Sequence, residues 1–210
     1  MKRTVKAFIV ISLFFLLRLI TSCCNCTDIT YRFSYVDVIV NNINNSSQWS
    51  RPSNENQMYA EGVAFEVQIV GCSIESSSVK KRSLASFKTL SAQSCDCDDI
   101  YASVHEISSI RIFTLEKINS KYNAGDDVTD VFLANTCINC DDVGSFYISI
   151  DELLTRINGQ PLYDKPENRF LVYLKEKVEY DTAQFEFEIS LSDGQVITAR
   201  SELILIIGNE

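Results

Sequence analysis

Asp193-Gly194 separates two runs of alternating residues, and no other stretch of the chain restricts the fold as tightly. Before the pair, Phe185, Phe187, Ile189 and Leu191 alternate with Glu186, Glu188 and Ser190; after it, Val196 to Ile207 returns. A period of two places one set of side chains on one face of a strand and the other set on the opposite face. An Asp-Gly step supplies the positive φ that a tight hairpin turn requires. A lone two-stranded hairpin is at best marginally stable in water, so its apolar face must be buried against further strands or a helix.

The rest of the chain supplies them. Ile29 to Tyr35 alternates, and Val36, Val38 and Val40 continue with the phase shifted, which predicts a strand with a bulge near Tyr35-Val36. Val63, Phe65, Val67 and Ile69 alternate against Glu66 and Gln68. Ile107 to Ile118 sets Ile110, Ile112 and Thr114 against Arg111, Phe113 and Leu115, and Phe170, Val172 and Leu174 alternate with Leu171, Tyr173 and Lys175. Phe146 to Ile150 predicts a short strand, and Asp127 to Ala134 a single helical turn. Ser149 and Glu152 form a capping box ahead of Leu153, Leu154 and Ile157, which predicts a short helix closed by a left-handed Gly159. Asn41 to Gln57, rich in Asn and Ser, is expected to be an exposed loop, and Ile74 to Leu90 fits neither period. Antiparallel strands with one wet face and few helices predict a mainly β fold. The expected architecture is an antiparallel β-sandwich (Ig-like or related) of two packed sheets, with one or two short helices, formed by residues 29–210 as one domain.

The N-terminus carries a different signal. Lys2, Arg3 and Lys6 precede an uncharged run from Ala7 to Leu17, which as a helix is about 16 Å long, roughly half a bilayer core. That length suits a cleaved signal segment better than a spanning helix. Ile20-Thr21-Ser22-Cys23 follows, and it resembles the lipobox of bacterial lipoproteins. Arg18, between the apolar run and the cleavage point, departs from that pattern. The resemblance implies a signal peptide over 1–22, a diacylglycerol thioether on Cys23, palmitate-type acyl chains, and a linker over 23–28. Each buried methylene contributes about 0.8 kcal/mol, so two or three acyl chains hold a protein on a membrane durably.

The leader, Gly125 to Phe132, Ser149 to Leu154 and the closing hairpin together resemble an uncharacterised family of Bacteroides-type lipoproteins. That resemblance implies a place on the outer membrane of the cell envelope and a β fold, and it implies no activity. Cys24-Asn25-Cys26-Thr27-Asp28 lacks the acidic run that resembles a surface-export signal, so a periplasmic and a surface-facing position both remain open.

The formal net charge is −9, and the leader takes four basic residues (Lys2, Arg3, Lys6 and Arg18) out of the remainder, leaving it more acidic still. Such a balance argues against nucleic acid as a partner. Beyond Cys23 the cysteines fall at 24, 26, 72, 95, 97, 137 and 140. Cys95-Asp-Cys97-Asp-Asp and Cys137-Ile-Asn-Cys140-Asp-Asp each set paired thiols before paired carboxylates. In an exported protein Cys95, Cys97, Cys137 and Cys140 are disulfide candidates with three possible pairings; the same four thiolates are also an alternative tetrahedral zinc set.

The acidic pairs match no twelve-residue calcium loop, and the one histidine, His105, stands beside Glu106. No nucleophile elbow, phosphate loop, dinucleotide fingerprint or zinc-protease motif is present, and no cofactor is expected. The sequence therefore predicts a non-enzymatic binding or assembly module, anchored to a membrane by lipid and engaging a protein or a glycan. The alternatives are a thiolate zinc protein and a hydrolase built on loop carboxylates.

Overall fold

The computed structural model describes residues 30–45, 51–52, 56–76, 99–135, 147–163 and 165–207. In chain order these hold β1 (Thr30–Asn44), β2 (Arg51–Pro52), β3 (Gln57–Tyr59), β4 (Val63–Ser76), β5 (Ile100–Ser103), β6 (Ile107–Thr114) and a 3-10 turn over Thr129–Val131. There follow β7 (Phe132–Asn135), α1 (Ile150–Asn158), β8 (Leu162–Tyr163), β9 (Glu167–Leu174), β10 (Thr182–Ala183), β11 (Phe185–Leu191), β12 (Val196–Arg200) and β13 (Ile204–Ile207). The protein is mainly β, with one short α-helix among the described residues.

The largest sheet runs β7-β9-β4-β1-β5-β8, with β2 also paired to β1. Two three-stranded sheets, β12-β11-β6 and β10-β13-β3, accompany it. In place of two purely antiparallel sheets, two pairings are parallel, β1 with β5 and β13 with β3. Alternation specifies which face a side chain takes, not the direction of the neighbouring strand. A parallel neighbour needs a connection of about a dozen residues or more, and the long stretch between β4 and β5 provides one.

β1 bulges where its phase shift predicts. Tyr35 pairs with Gly71 and Asp37 with Val70, so Val36 is the extra residue and half exposed. Before the bulge Phe33 and Tyr35 face the core; after it Val38 and Val40 do. The strand then continues through Asn44, so the first part of the Asn-rich stretch is not loop: Asn42 and Ile43 are buried. Backbone pairing with β4 holds this polar segment in the sheet against its poor strand propensity.

The closing hairpin forms around Asp193-Gly194, with Gly194 at φ +88° and Gly194 N–H donating to Leu191 O at 3.0 Å. Its return is not one strand. Ala183 pairs with Ile204 and Glu186 with Arg200, so three residues (201 to 203) face two (184 and 185). The extra residue bends the hairpin and sends its two ends into different sheets. Ser201, 2% exposed, seals the bend: its hydroxyl accepts from Phe185 N–H at 3.1 Å while its own N–H donates to Phe185 O at 2.9 Å.

One apolar cluster joins the three sheets and α1. At its centre Phe65 of β4 meets Phe185 and Phe187 of β11, each at 5.4 Å between ring centroids, and Phe132 of β7 meets Phe185 edge-on at 5.4 Å. β9 is buried on both faces from Phe170 to Leu174, not on one as its alternation suggests. Its second face, Leu171 and Tyr173, packs with Ile43 and Ala64, and Tyr147 meets the Tyr173 ring edge-on.

Candidate binding cleft

α1 begins where the capping box places it. Ser149 Oγ accepts from Glu152 N–H at 3.1 Å, and Ile150, Leu153 and Ile157 form the buried stripe. Ile148 bridges Ala134 of β7, and Leu162 pairs with Tyr101 of β5. The helix and the residues after it therefore cross from one edge of the large sheet to the other, packing on β6 and β7 along the way. Asn158 fixes the end of this crossing: its Oδ1 accepts from Ile107 N–H at 3.1 Å and its Nδ2 donates to Ile107 O at 2.8 Å. Gly159 closes the helix at φ −86°, in the right-handed region, so the expected left-handed cap is not formed. Its N–H instead returns to Thr155 O at 3.2 Å, which satisfies one terminal carbonyl without a positive φ.

Under the end of the crossing lies an aromatic floor from the first half of β1. The Phe33 ring is fully buried and meets Tyr35 edge-on at 5.0 Å. It sits against Gly71, where a Cβ would come within 2.2 Å of the ring. Tyr31 stacks on Tyr101 at 5.2 Å because β5 runs parallel to β1 in the register Tyr31 to Tyr101. Between this floor and the segment from Ile157 to Leu162 is a hollow of about 260 Å³, into which Ser103 and Glu106 also open. A second hollow of about 190 Å³ adjoins it, bounded by Arg156, Asn168 and Arg169, and the two share Ile157, Gln160, Pro161 and Leu162.

Tyr35 borders the first hollow and Asn168 the second, and the two are bonded, Asn168 Nδ2 donating to the Tyr35 hydroxyl at 2.5 Å. Burial pushes the Tyr35 phenol up to about 12, against the opposing pull of the Asn168 amide. At neutral pH it is an uncharged hydroxyl. Both arginines are paired, Arg156 with Glu152 at 2.7 Å and Arg169 with Glu66 at 3.5 Å and Glu167 at 3.7 Å. Both offer N–H groups while their charge is largely balanced.

Ser103 donates its hydroxyl to the backbone carbonyl of His105 at 2.6 Å, while His105 Nε2 lies 3.4 Å from Asp193 Oδ2. A serine nucleophile needs its hydroxyl on the base, and this one is turned onto a main-chain oxygen. Two loop carboxylates, Asp127 and Asp126, are engaged locally. Asp127 accepts from Arg111 and from both the N–H and the hydroxyl of Thr129. Partial burial alone would raise its carboxyl, but those donors outweigh it and hold the group below its ordinary value. Asp126 accepts from Asn123 N–H at 2.7 Å in the turn beside Gly125.

Cys23, Cys95, Cys97, Cys137 and Cys140 lie outside the described residues, as do Cys24 and Cys26. Cys72 is described, an exposed free thiol in β4 opposite Ser34. Among the described residues no group of three or more His, Cys, Asp or Glu side chains is placed to hold a metal ion, and no helix is long and apolar enough to cross a membrane. The cleft residues were not singled out by sequence reasoning. The signal that points to them is the aromatic spacing of Tyr31, Phe33 and Tyr35 ahead of a bulge, together with a Gly-Gln-Pro run closing a helix. The chain matches no protein-family model, no curated protein and no solved structure.

Proposed function

We propose that this protein is a lipid-anchored, non-enzymatic binding module of the bacterial cell envelope, tethered to the outer membrane through Cys23. The observation that carries this reading is the leader: a basic start, an apolar run too short to span, and Ile20-Thr21-Ser22-Cys23. The place of the first strand supports it. Thr30 opens β1 a few residues after Cys23, so a fully extended tether is at most about 25 Å long. The anchor supplies membrane affinity, which leaves the cleft on the β body free to engage a partner.

The test is metabolic labelling with an alkyne fatty acid in a bacterial host. The wild-type protein incorporates label and sediments with membranes, and the Cys23→Ser variant does neither. Undiminished labelling of Cys23→Ser overturns the anchor.

A further inference from the structure

We propose that the paired hollows beneath the end of α1 form a glycan-binding site that takes two linked, uncharged sugar rings. The proposal rests on the binding-module reading and names its ligand. The first hollow, about 260 Å³, falls just short of the ~300 Å³ at the lower end of small-ligand pockets. It therefore suits one ring, and the adjoining hollow of about 190 Å³ suits a neighbouring one. Gln160, Pro161 and Leu162 line both, so a linked ligand passes from one to the other along a single segment.

The chemistry of the walls matches a sugar. Tyr101, partly buried and stacked on Tyr31, lines the first hollow, and an aromatic side chain is the kind of wall on which the C–H face of a pyranose packs. Gln160 and Glu106 in the first hollow, with Asn168 and the arginine N–H groups in the second, are donors and acceptors for hydroxyls. The pairing of both arginines with carboxylates argues for an uncharged ligand over an acidic one.

An extended peptide finds less here, because strand addition needs free backbone groups. Asn158 occupies both backbone groups of Ile107, and Phe33 O already accepts from Val104 N–H at 2.8 Å. The site is also built before any ligand arrives. Tyr35–Asn168 braces its floor and Asn158 pins its roof, which limits the ordering cost of binding.

The experiment presents full-length, lipid-modified protein in detergent to an array of neutral oligosaccharides that includes cellobiose and chitobiose, beside an array of unmodified peptides. The expected result is retention of at least one neutral glycan. Tyr101→Ala then weakens that binding about tenfold or more through loss of stacking. Gln160→Ala, at an exposed position lining both hollows, weakens it about threefold. Tyr163→Ala is the control: this ring is half exposed, sits opposite Ile100 and borders neither hollow, so binding stays unchanged. Melting curves confirm that each variant folds, and Gln160→Ala decides the matter if Tyr101→Ala does not. Retention of peptides without glycans, retention of nothing, or glycan binding indifferent to Tyr101 and Gln160 each overturns the site. Fatty-acid labelling of the same sample shows whether the anchor stands independently of that result.

Discussion

The large sheet packs aromatic side chains around Phe65 and around Phe33, and the first of these places is sealed while the second is not. Around Phe65 the β12-β11-β6 sheet contributes Phe185 and Phe187, and Phe132 of the large sheet closes on the same ring. Around Phe33 and Tyr35 the cover is the end of α1 and the segment that follows, and a hollow remains. The residue types are similar and their burial on β1 and β4 is similar. The difference lies in what covers them. A strand opposite a strand presents an interdigitating side chain at every second residue, whereas a helix end presents backbone and a few polar groups. An incompletely covered aromatic floor with polar groups at its rim is what a small-ligand site consists of.

The largest test of this contrast is Phe65→Ala. Truncation at the sealed place leaves a cavity among three aromatic rings and lowers stability by about 3–5 kcal/mol. Chemical denaturation measures it, and a loss below 1 kcal/mol contradicts a sealed centre. At the open place the strain runs the other way. Gly71→Ala sets a methyl within 2.2 Å of the Phe33 ring and 2.7 Å of Pro166 O, which costs about 1–3 kcal/mol. The ring has the hollow to move into, so the binding proposed for the cleft is expected to fall together with stability.

Alkaline titration distinguishes the two places by a different route. In the unfolded chain Tyr35 ionises near its ordinary 10, and in the fold only at about 12. The unfolded state therefore sheds this proton first, so the stabilising contribution is whole below pH 10 and is lost as pH rises toward 12. Wild type should lose about 1–3 kcal/mol more than Tyr35→Phe across that window, read from paired urea titrations. Parallel pH profiles for the two proteins would show that Tyr35 is not buried.

Asn158→Ala removes the clasp on Ile107 and leaves both of its backbone groups without that partner, a loss of about 1–2 kcal/mol. Hydrogen exchange should then rise at Ile107 before it rises in β4. The smallest effect belongs to Ser149→Ala, where the missing cap on Glu152 N–H costs about 1 kcal/mol. A thermal shift of a few degrees that leaves the binding proposed for the cleft intact keeps the start of α1 apart from its end over the hollow.

Much of the fold was legible because its signals are local. The bulge at Val36 follows from a phase shift, the turn at Gly194 from one dipeptide, and α1 from Ser149 and its stripe of Ile150, Leu153 and Ile157. The cleft was not legible. Phe33 and Tyr35 have the same alternation as any core strand, and Asn158 and Asn168 look like ordinary surface amides until their partners, fifty-one and 133 residues away in sequence, are known.

By itself the sequence determined that the chain forms strands, which faces of most of them are apolar, where the hairpin turns and where the helix is capped. Each of these is settled within a few residues, by steric limits on φ and by the period of the side chains. Tertiary structure alone decided that β1 runs parallel to β5, that both faces of β9 are covered, and that the bend at Ser201 divides one hairpin between two sheets. It also decided that α1 ends over a floor of aromatic rings. Those outcomes depend on which distant surfaces meet, and the free energy of burying a surface is fixed by its partner as much as by its own residues.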